Sequence, residues 1–169
     1  MRVPIRKGGQ YTNMKDDPVM TQGKFDELKK TLEKLKKDIQ PKMAEEVKRL
    51  ALMGDFSENA AYQIAKGRLR FTNSKIENIT KQIAEANIIK INKNKNVIEI
   101  GSLVTVKIDQ EIKKYHILGS SETDPSKGKI SYQSPLGAAF LNKKIDEIVE
   151  IKINGQITKY QIIAIDYQI

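Results

Sequence analysis

Two apolar runs with helical spacing, separated by a short polar gap, constrain this 169-residue chain more than any other feature. Apolar residues recur every three or four positions from Phe25 to Leu50, and again from Tyr62 to Ala86. Each run predicts a helix with one apolar seam, and the short gap requires the two helices to fold back on each other. The pattern therefore predicts an antiparallel coiled-coil hairpin. Pro41 lies inside the first run, where steps of four resemble a stutter, so we expect a kink or brief break there.

The remaining faces of both helices are rich in lysine, which leaves little apolar surface for packing on a globular body. The hairpin is therefore expected to project into solvent, and the 30 residues from Glu58 to Asn87 would span about 45 Å. Residues 20–90 hold fifteen basic and ten acidic side chains, within a total formal charge of +9. This excess favours an anionic partner such as RNA, DNA or an acidic protein surface, although solvated lysine-rich helices raise the charge as well.

Beyond residue 100 the apolar period changes to two, which predicts strands at 102–108, 113–118, 128–133, 147–153 and 157–165. Asn154 and Gly155 form a hairpin turn signal, and Ser134 with Pro135 predicts the start of one short helix. The chain is therefore predicted to be α+β, with a small antiparallel sheet in its second half. The predicted organisation is an N-terminal extension (1–19), a coiled-coil hairpin (20–90), a linker (91–100) and a β domain (101–169).

Composition limits the compartment and the chemistry. Cysteine is absent, which excludes disulfides and thiolate metal sites. No apolar run approaches the roughly 20 residues that a membrane span requires, and the basic N-terminus is not followed by an apolar stretch. We therefore expect a cytoplasmic protein. His116, the only histidine, alternates within a predicted strand and is interpreted as structural.

Two carboxylates, Asp55 and Glu58, lie three positions apart in the gap between the helices. One interpretation is structural: Gly54 ends the first helix, Asp55 caps the second, and Glu58 completes a capping box. In the other, the two carboxylates share one hard cation through oxygen ligands, and another molecule completes the ligand shell. The spacing leaves both interpretations open, and they are compatible because a capped turn would also hold the two carboxylates rigidly.

The residues around these carboxylates resemble a known family. GDFSENAAYQIAK (54–66) resembles the G-D-x-x-E-N-x-x-Y-x-x-A motif of the bacterial Gre transcript-cleavage factors, and is more similar to their GreA branch. MTQGKFDELKKTLEKLKKDIQP (20–41), GSLVTV (101–106) and SPLGAAFLNKKIDEIVEI (134–151) resemble other segments of that family. The resemblance covers residues 20–169 and leaves the extension 1–19 unmatched.

This resemblance implies an N-terminal antiparallel coiled coil and an FKBP-like C-terminal domain that binds the rim of the RNA polymerase secondary channel. The coiled coil would enter the channel and stimulate the polymerase to hydrolyse its own backtracked transcript, without being a free-standing nuclease. The implied partners are RNA polymerase and the 3′ end of the nascent RNA. We expect a monomer with no cofactor of its own, and a Mg²⁺ ion shared with the polymerase active site.

The resemblance also assigns roles to residues. Asp55 and Glu58 match the two carboxylates that help hold the weakly bound Mg²⁺ and orient the attacking water. The residues expected to shape the tip are Gly54, Phe56, Ser57, Asn59 and Tyr62. Lys66 matches a basic position of the family and is a candidate RNA contact. The resemblance does not assign the other candidate RNA contacts, which could compensate as phosphate contacts or be ordinary solvated helix surface: Lys48, Arg49, Arg68 and Arg70.

Four positions depart from the family pattern. Ala51 stands where a basic residue is frequent, and Met53 stands where a polar one is frequent, so the RNA-steering patch is expected to be thinner on this helix. Asn142 and Asp146 replace two usual glycines, which puts the local turn geometry in doubt but leaves the expected fold unchanged.

Three alternatives remain from the sequence. A Gre homologue could occupy the same channel as an inhibitor, although the intact spacing of Asp55 and Glu58 favours an activator. An FKBP-like enzyme would need an aromatic-lined pocket, for which residues 101–169 offer few rings. A basic coiled-coil module that binds RNA or the ribosome would not need the tip carboxylates.

Overall fold

The first arm of the hairpin is helical from Gln22 to Ala51. The computed structural model describes residues 17–53, 60–90, 96–153 and 156–167. In it, helix α1 (Gln22–Lys34) passes through a π-helical turn (Leu35–Ile39) into α2 (Gln40–Ala51). The side chain of Thr21 caps α1 by accepting a hydrogen bond from the Lys24 amide.

The π-helical turn accommodates Pro41. Proline has no amide hydrogen and its ring collides with the carbonyl four residues earlier, so an ordinary α-helix is disfavoured there. In the structure the Gln40 amide donates to the Leu35 carbonyl five residues back, and the helix continues. The helix therefore does not break at Pro41, and the irregularity expected there takes the form of a π-helical turn. The steps of four from Leu35 through Ile39 and Met43 coincide with this wider turn.

The second arm, α3 (Ala60–Glu85), packs antiparallel against the first. Gln40 of α2 donates an exposed side-chain hydrogen bond of 2.9 Å to Asn73 of α3. The predicted seam is confirmed: its buried members are Leu28, Leu35, Leu50, Ala65, Thr72 and Ile79. Thr72 is accommodated in this seam because its hydroxyl donates to the Arg68 carbonyl.

A two-stranded parallel ribbon closes the base of the hairpin. Strand β1 (Val19–Met20) pairs with β2 (Asn87–Ile88). Helix α3 therefore ends at Glu85, two residues before the end at Asn87 that the sequence predicts. Met20 of β1 is almost fully buried and belongs to the hairpin core. Val19, which was predicted to belong to the extension, is thus part of the hairpin's base.

The second half forms a five-stranded sheet in the order β5-β4-β3-β7-β6. Strand β3 (Ser102–Ile108) lies centrally, between β4 (Glu111–Leu118) and β7 (Gln156–Tyr167). The edge strands are β5 (Lys129–Ser131) and β6 (Ile148–Ile153). Neighbouring strands pair antiparallel except β4 with β5, which pair parallel. The expectation of a purely antiparallel sheet is therefore wrong at this edge, where two 3-10 turns (Ser120–Glu122 and Pro125–Lys127) carry the chain from β4 to β5.

The core of this half lies on one face of the sheet, under the short helix α4 (Pro135–Phe140). The side chain of Ser134 accepts from the Gly137 amide, which confirms the predicted cap. A Cβ at Gly137 would lie 2.1 Å from the Ser131 carbonyl oxygen, so only glycine permits this close approach of helix and strand. Ile98, inside the predicted linker, is fully buried in this core.

Two turns of the second half adopt the conformation that glycine would favour. Asn142 has φ of 63° and Asp146 has φ of 70°, both in the left-handed region. Glycine is the residue that the resemblance leads us to expect at both positions, and asparagine and aspartate tolerate this region better than most residues. The fold is therefore retained at both turns.

Candidate functional site

The loop that joins α2 to α3 is the candidate site, and the structure describes its two flanks. Six predicted site residues lie outside the described residues: Gly54, Asp55, Phe56, Ser57, Glu58 and Asn59. On one flank, α2 ends with the Leu52 amide donating to the Lys48 carbonyl and the Met53 amide donating to the Leu50 carbonyl. On the other flank, α3 begins at Ala60. The loop therefore joins two helices whose buried seam continues to Leu50 and Ala65.

The flank before the loop exposes two large apolar side chains. Leu52 is 81% exposed and Met53 is 64% exposed. Leu52 lies outside the helical spacing that ends at Leu50, so the periodic pattern does not single it out. Both apolar side chains are therefore accessible for contact with another surface.

The candidate RNA contacts do not form one patch. Lys66 and Arg70 are four residues apart and lie on one face of α3. Arg68 lies nearly opposite them and beside the groove between α2 and α3, which measures about 210 Å³ and includes Glu46 in its lining. The structure therefore divides the cations predicted on α3 between two faces.

Two of the predicted cations already have partners within the hairpin. Arg49 donates to both carboxylate oxygens of Glu46, at 2.9 and 2.7 Å. This hydrogen bonding lowers the pKa of Glu46 and raises that of Arg49. The ammonium of Lys66 lies 5.7 Å from the ring centroid of Tyr62, which is half-buried. Lys48 and Arg70 are exposed and no such contact is found for them among the described residues.

Metal ligands were expected only at Asp55 and Glu58. Within the described ranges, no group of three or more histidine, aspartate or glutamate side chains is placed to hold a metal ion. The expectation of a shared Mg²⁺ therefore concerns the loop itself, and it stays a prediction.

Phe140, Tyr160 and Tyr115 of the second half are core residues. Phe140 is fully buried and Tyr160 nearly so, and their ring centroids lie 5.6 Å apart. Tyr115 stacks at 6.0 Å from Phe140, and burial raises the pKa of its hydroxyl. These three rings therefore pack against one another in the core of the second half.

The sequence also did not reveal the contact between the hairpin and the sheet. Thr21, which caps α1, donates two hydrogen bonds to Glu122, 101 residues away. Asp17 likewise accepts hydrogen bonds from Ser120 and Tyr132. Nothing local in the sequence couples residues so far apart.

No described helix is both long enough and apolar enough to cross a lipid bilayer. This agrees with the absence of a candidate span in the sequence.

Comparison with known proteins covers both halves of the chain. The family described as "Transcription elongation factor, N-terminal" matches residues 18–88, and "Transcription elongation factor, GreA/GreB, C-term" matches residues 93–167. Transcription elongation factor GreA of Clostridioides difficile is 38% identical over 151 residues, which cover 87% of this chain and 94% of that protein. GreA of Staphylococcus carnosus is 38% identical over 159 residues, which cover 92% and 99% respectively. The crystal structure of GreA factor homolog 1 of Thermus thermophilus aligns at 18% identity with a TM-score of 0.41, over 87% of this chain and 97% of that one.

Proposed function

The chain belongs to the GreA/GreB family of transcription elongation factors, and from this we propose that it inserts its hairpin into the secondary channel of RNA polymerase. There it stimulates the polymerase to cleave backtracked RNA, so that arrested complexes resume elongation. The observation that carries this proposal is the apolar seam of the first arm, whose buried members Leu28, Leu35 and Leu50 extend along its length. The 30 helical residues of that arm give a stiff rod of about 45 Å, with the acidic loop at its end.

Asp55 and Glu58 are proposed to complete a Mg²⁺ site inside the polymerase. Two carboxylates are too few for a dedicated Mg²⁺ site, because this ion requires six ligands in near-octahedral geometry. The polymerase would supply the others, and the ion would serve there to activate the attacking water. The factor itself is therefore not the nuclease, and it holds no metal of its own when free.

The exposed cations are proposed to guide the extruded RNA. Lys48 and Arg70 are exposed, and Lys66 shares its face with Arg70, so these three suit phosphate contacts. Arg49 suits that role less, because Glu46 neutralises it through two hydrogen bonds. Arg68, beside the groove that Glu46 lines, is placed away from Lys66.

The sheet is proposed to bind the polymerase at the rim of the channel. Its outer face exposes apolar side chains, notably Ile148 on β6 and Ile157 and Ile163 on β7. Exposed apolar side chains on a sheet face can contribute to a protein-binding surface. The factor would act as a monomer in the cytoplasm, where transcription takes place in bacteria.

Substitution of the tip carboxylates tests this proposal. We expect Asp55→Asn and Glu58→Gln to lower the maximal rate of stimulated cleavage in a backtracked polymerase complex by at least about a hundredfold. The physical reason is the loss of a charged ligand to a catalytic ion. Binding to the polymerase is expected to persist, and asparagine can still cap a helix.

Glu77→Gln is the matched control, since Glu77 is an exposed carboxylate on α3 away from the loop. It is expected to leave cleavage unchanged. Cleavage at the parent rate by both tip variants would refute the metal role. Parent protein that binds and blocks elongation without any cleavage, at every Mg²⁺ concentration, would identify the inhibitor instead.

A further inference from the structure

The two halves of the molecule have separate cores and meet in a narrow junction. The hairpin core includes Leu28, Leu35 and Ile79, whereas the core of the second half includes Val104 and Phe140. Among the described elements, the extended contact between the halves is that of β1 with the turn Ser120–Glu122. Each half therefore maintains its own packing, and the junction governs how the halves are oriented.

Glu122 binds the residue that starts the hairpin. One oxygen of its carboxylate accepts from the Thr21 amide at 2.6 Å, and the other accepts from the Thr21 hydroxyl at 2.8 Å. The same hydroxyl oxygen accepts from the Lys24 amide as the cap of α1. The first turn of the hairpin is thus hydrogen-bonded, through one threonine, directly to the second half.

Asp17 makes the reciprocal connection from the hairpin side. Its Oδ2 accepts from the amide of Ser120 at 2.9 Å and from the hydroxyl of the same residue at 3.1 Å. Its Oδ1 accepts from the Tyr132 hydroxyl at 3.2 Å and from the Val19 amide at 3.1 Å. The two carboxylates lie on opposite halves, so rotation of the hairpin about this junction breaks bonds of both.

Gly119 allows the backbones to approach this closely. A Cβ at this position would lie 1.8 Å from the Val19 carbonyl oxygen and 2.8 Å from the carbonyl carbon. Its φ of −68° and ψ of 160° are accessible to any residue. The requirement for glycine here is therefore the space beside β1 and not the backbone conformation.

We propose that this junction is an orientation lock, in which Glu122 and Asp17 act as positioning residues for the distant loop. A rotation of about 10° at the base would displace the far end of a 45 Å rod by about 8 Å. Reacting groups tolerate displacements of only about 1 Å before rates fall steeply. The effect of the lock on stimulated cleavage rests on the proposed function, whereas the lock itself is a property of the free protein.

Distance measurement on the free protein tests the lock. The chain has no cysteine, so Glu45→Cys on α2 and Lys114→Cys on β4 place two spin labels at exposed positions, one on each half. Double electron–electron resonance is expected to give one narrow distance distribution. Glu122→Gln is expected to broaden or shift it, because the amide group brings a donor against the donors of Thr21.

Three further variants complete the test. Asp17→Asn and Gly119→Ala are expected to act in the same direction as Glu122→Gln, the latter without any change of charge. Glu77→Gln, an exposed carboxylate on the hairpin outside the junction, is the control that leaves the distribution unchanged. A parent-like distribution in all three junction variants would overturn the lock. Loss of helical circular dichroism in all three would also overturn it, since the contacts would then maintain the fold itself.

The cleavage assay separates this inference from the proposed function. A smaller fraction of correctly oriented factor raises the concentration needed for half-maximal stimulation, by about tenfold if that fraction falls to one tenth. The maximal rate at saturation is expected to stay within about twofold of the parent, because an excess of factor still fills the polymerase with the correctly oriented form. Asp55→Asn should do the opposite, lowering the maximal rate with an unchanged distance distribution. A broadened distribution with an unchanged half-maximal concentration would refute the positioning role and leave the proposed function intact.

Discussion

Phe140→Ala removes the ring on which the packing of the second half depends. Phe140 is fully buried, and its ring centroid lies 5.6 Å from that of Tyr160 and 6.0 Å from that of Tyr115. Truncating a buried phenylalanine to alanine costs about 3–5 kcal/mol, and the two ring contacts place this site toward the upper end. A domain of this size has a free energy of unfolding of roughly 4–11 kcal/mol, so about half of it would be lost.

Near-ultraviolet circular dichroism is the suitable probe for this loss. The chain has no tryptophan, and of its six tyrosines Tyr115, Tyr132, Tyr160 and Tyr167 lie in the second half. The midpoint temperature of thermal unfolding, followed by the tyrosine signal, is expected to fall by more than about 12 °C, given that 1 kcal/mol shifts the midpoint of a small domain by about 4–8 °C. Phe140→Leu, which retains most of the apolar volume, is the control and should lose less than half as much.

The same substitution changes the titration of Tyr115. Burial raises the pKa of this hydroxyl, so the folded state holds its proton more tightly than the unfolded state. The resulting stability is present below the ordinary pKa of about 10 and is lost as the pH rises through the raised value. Phe140→Ala opens the site to water and should return the Tyr115 pKa, followed by ultraviolet absorbance, toward its ordinary value. A loss of less than about 1 kcal/mol together with an unchanged pKa would refute the assignment of these rings to the core.

Two further predictions concern backbone conformation. Pro41→Ala should change the free energy of unfolding of the hairpin by less than about 1 kcal/mol, because the π-helical turn, in which the Gln40 amide donates to the Leu35 carbonyl, already accommodates the proline. A gain in stability of about 3 kcal/mol, the value typical of a mid-helix proline, would show that the π-helical turn is strained. Asn142→Gly and Asp146→Gly should each stabilise the second half by about 0.5–1 kcal/mol in urea titrations, since both residues have positive φ. Lys144→Gly, at an exposed position between them, is the matched control and should destabilise.

The helical seam and most strands were predictable because their signals are local. Leu28, Leu35 and Ile79 repeat at helical spacing, and β3 was predicted with its observed bounds of Ser102–Ile108 from alternation alone. Pro41 predicted an irregularity in the first helix. The form of that irregularity, a π-helical turn, depends on which carbonyl accepts the hydrogen bond of the Gln40 amide. The roles of Asp55 and Glu58 stay predictions, since they rest on the resemblance and on a loop outside the described residues.

Features that depend on distant partners were not predictable. Strand β5 pairs parallel to β4 because two turns between them bring the chain back to the start of the pairing before β5 begins. The alternation of residues in Lys129–Ser131 carries no information on the direction of the strand. The burial of Ile98 likewise requires the sheet to be present, because one isoleucine among lysines and asparagines has no period of its own.

The junction is the strongest case of this kind and bears directly on function. Thr21 is the N-cap of α1, a role that one hydrogen bond accepted from the Lys24 amide satisfies. The Thr21 amide and the Thr21 hydroxyl both need acceptors as well. The two carboxylate oxygens of Glu122 accept one hydrogen bond from each. A cap that would otherwise concern only the first turn of α1 thereby connects the hairpin to the sheet. Because the hairpin core and the sheet core share no residue, this connection is where a change in one half can alter the direction of the other.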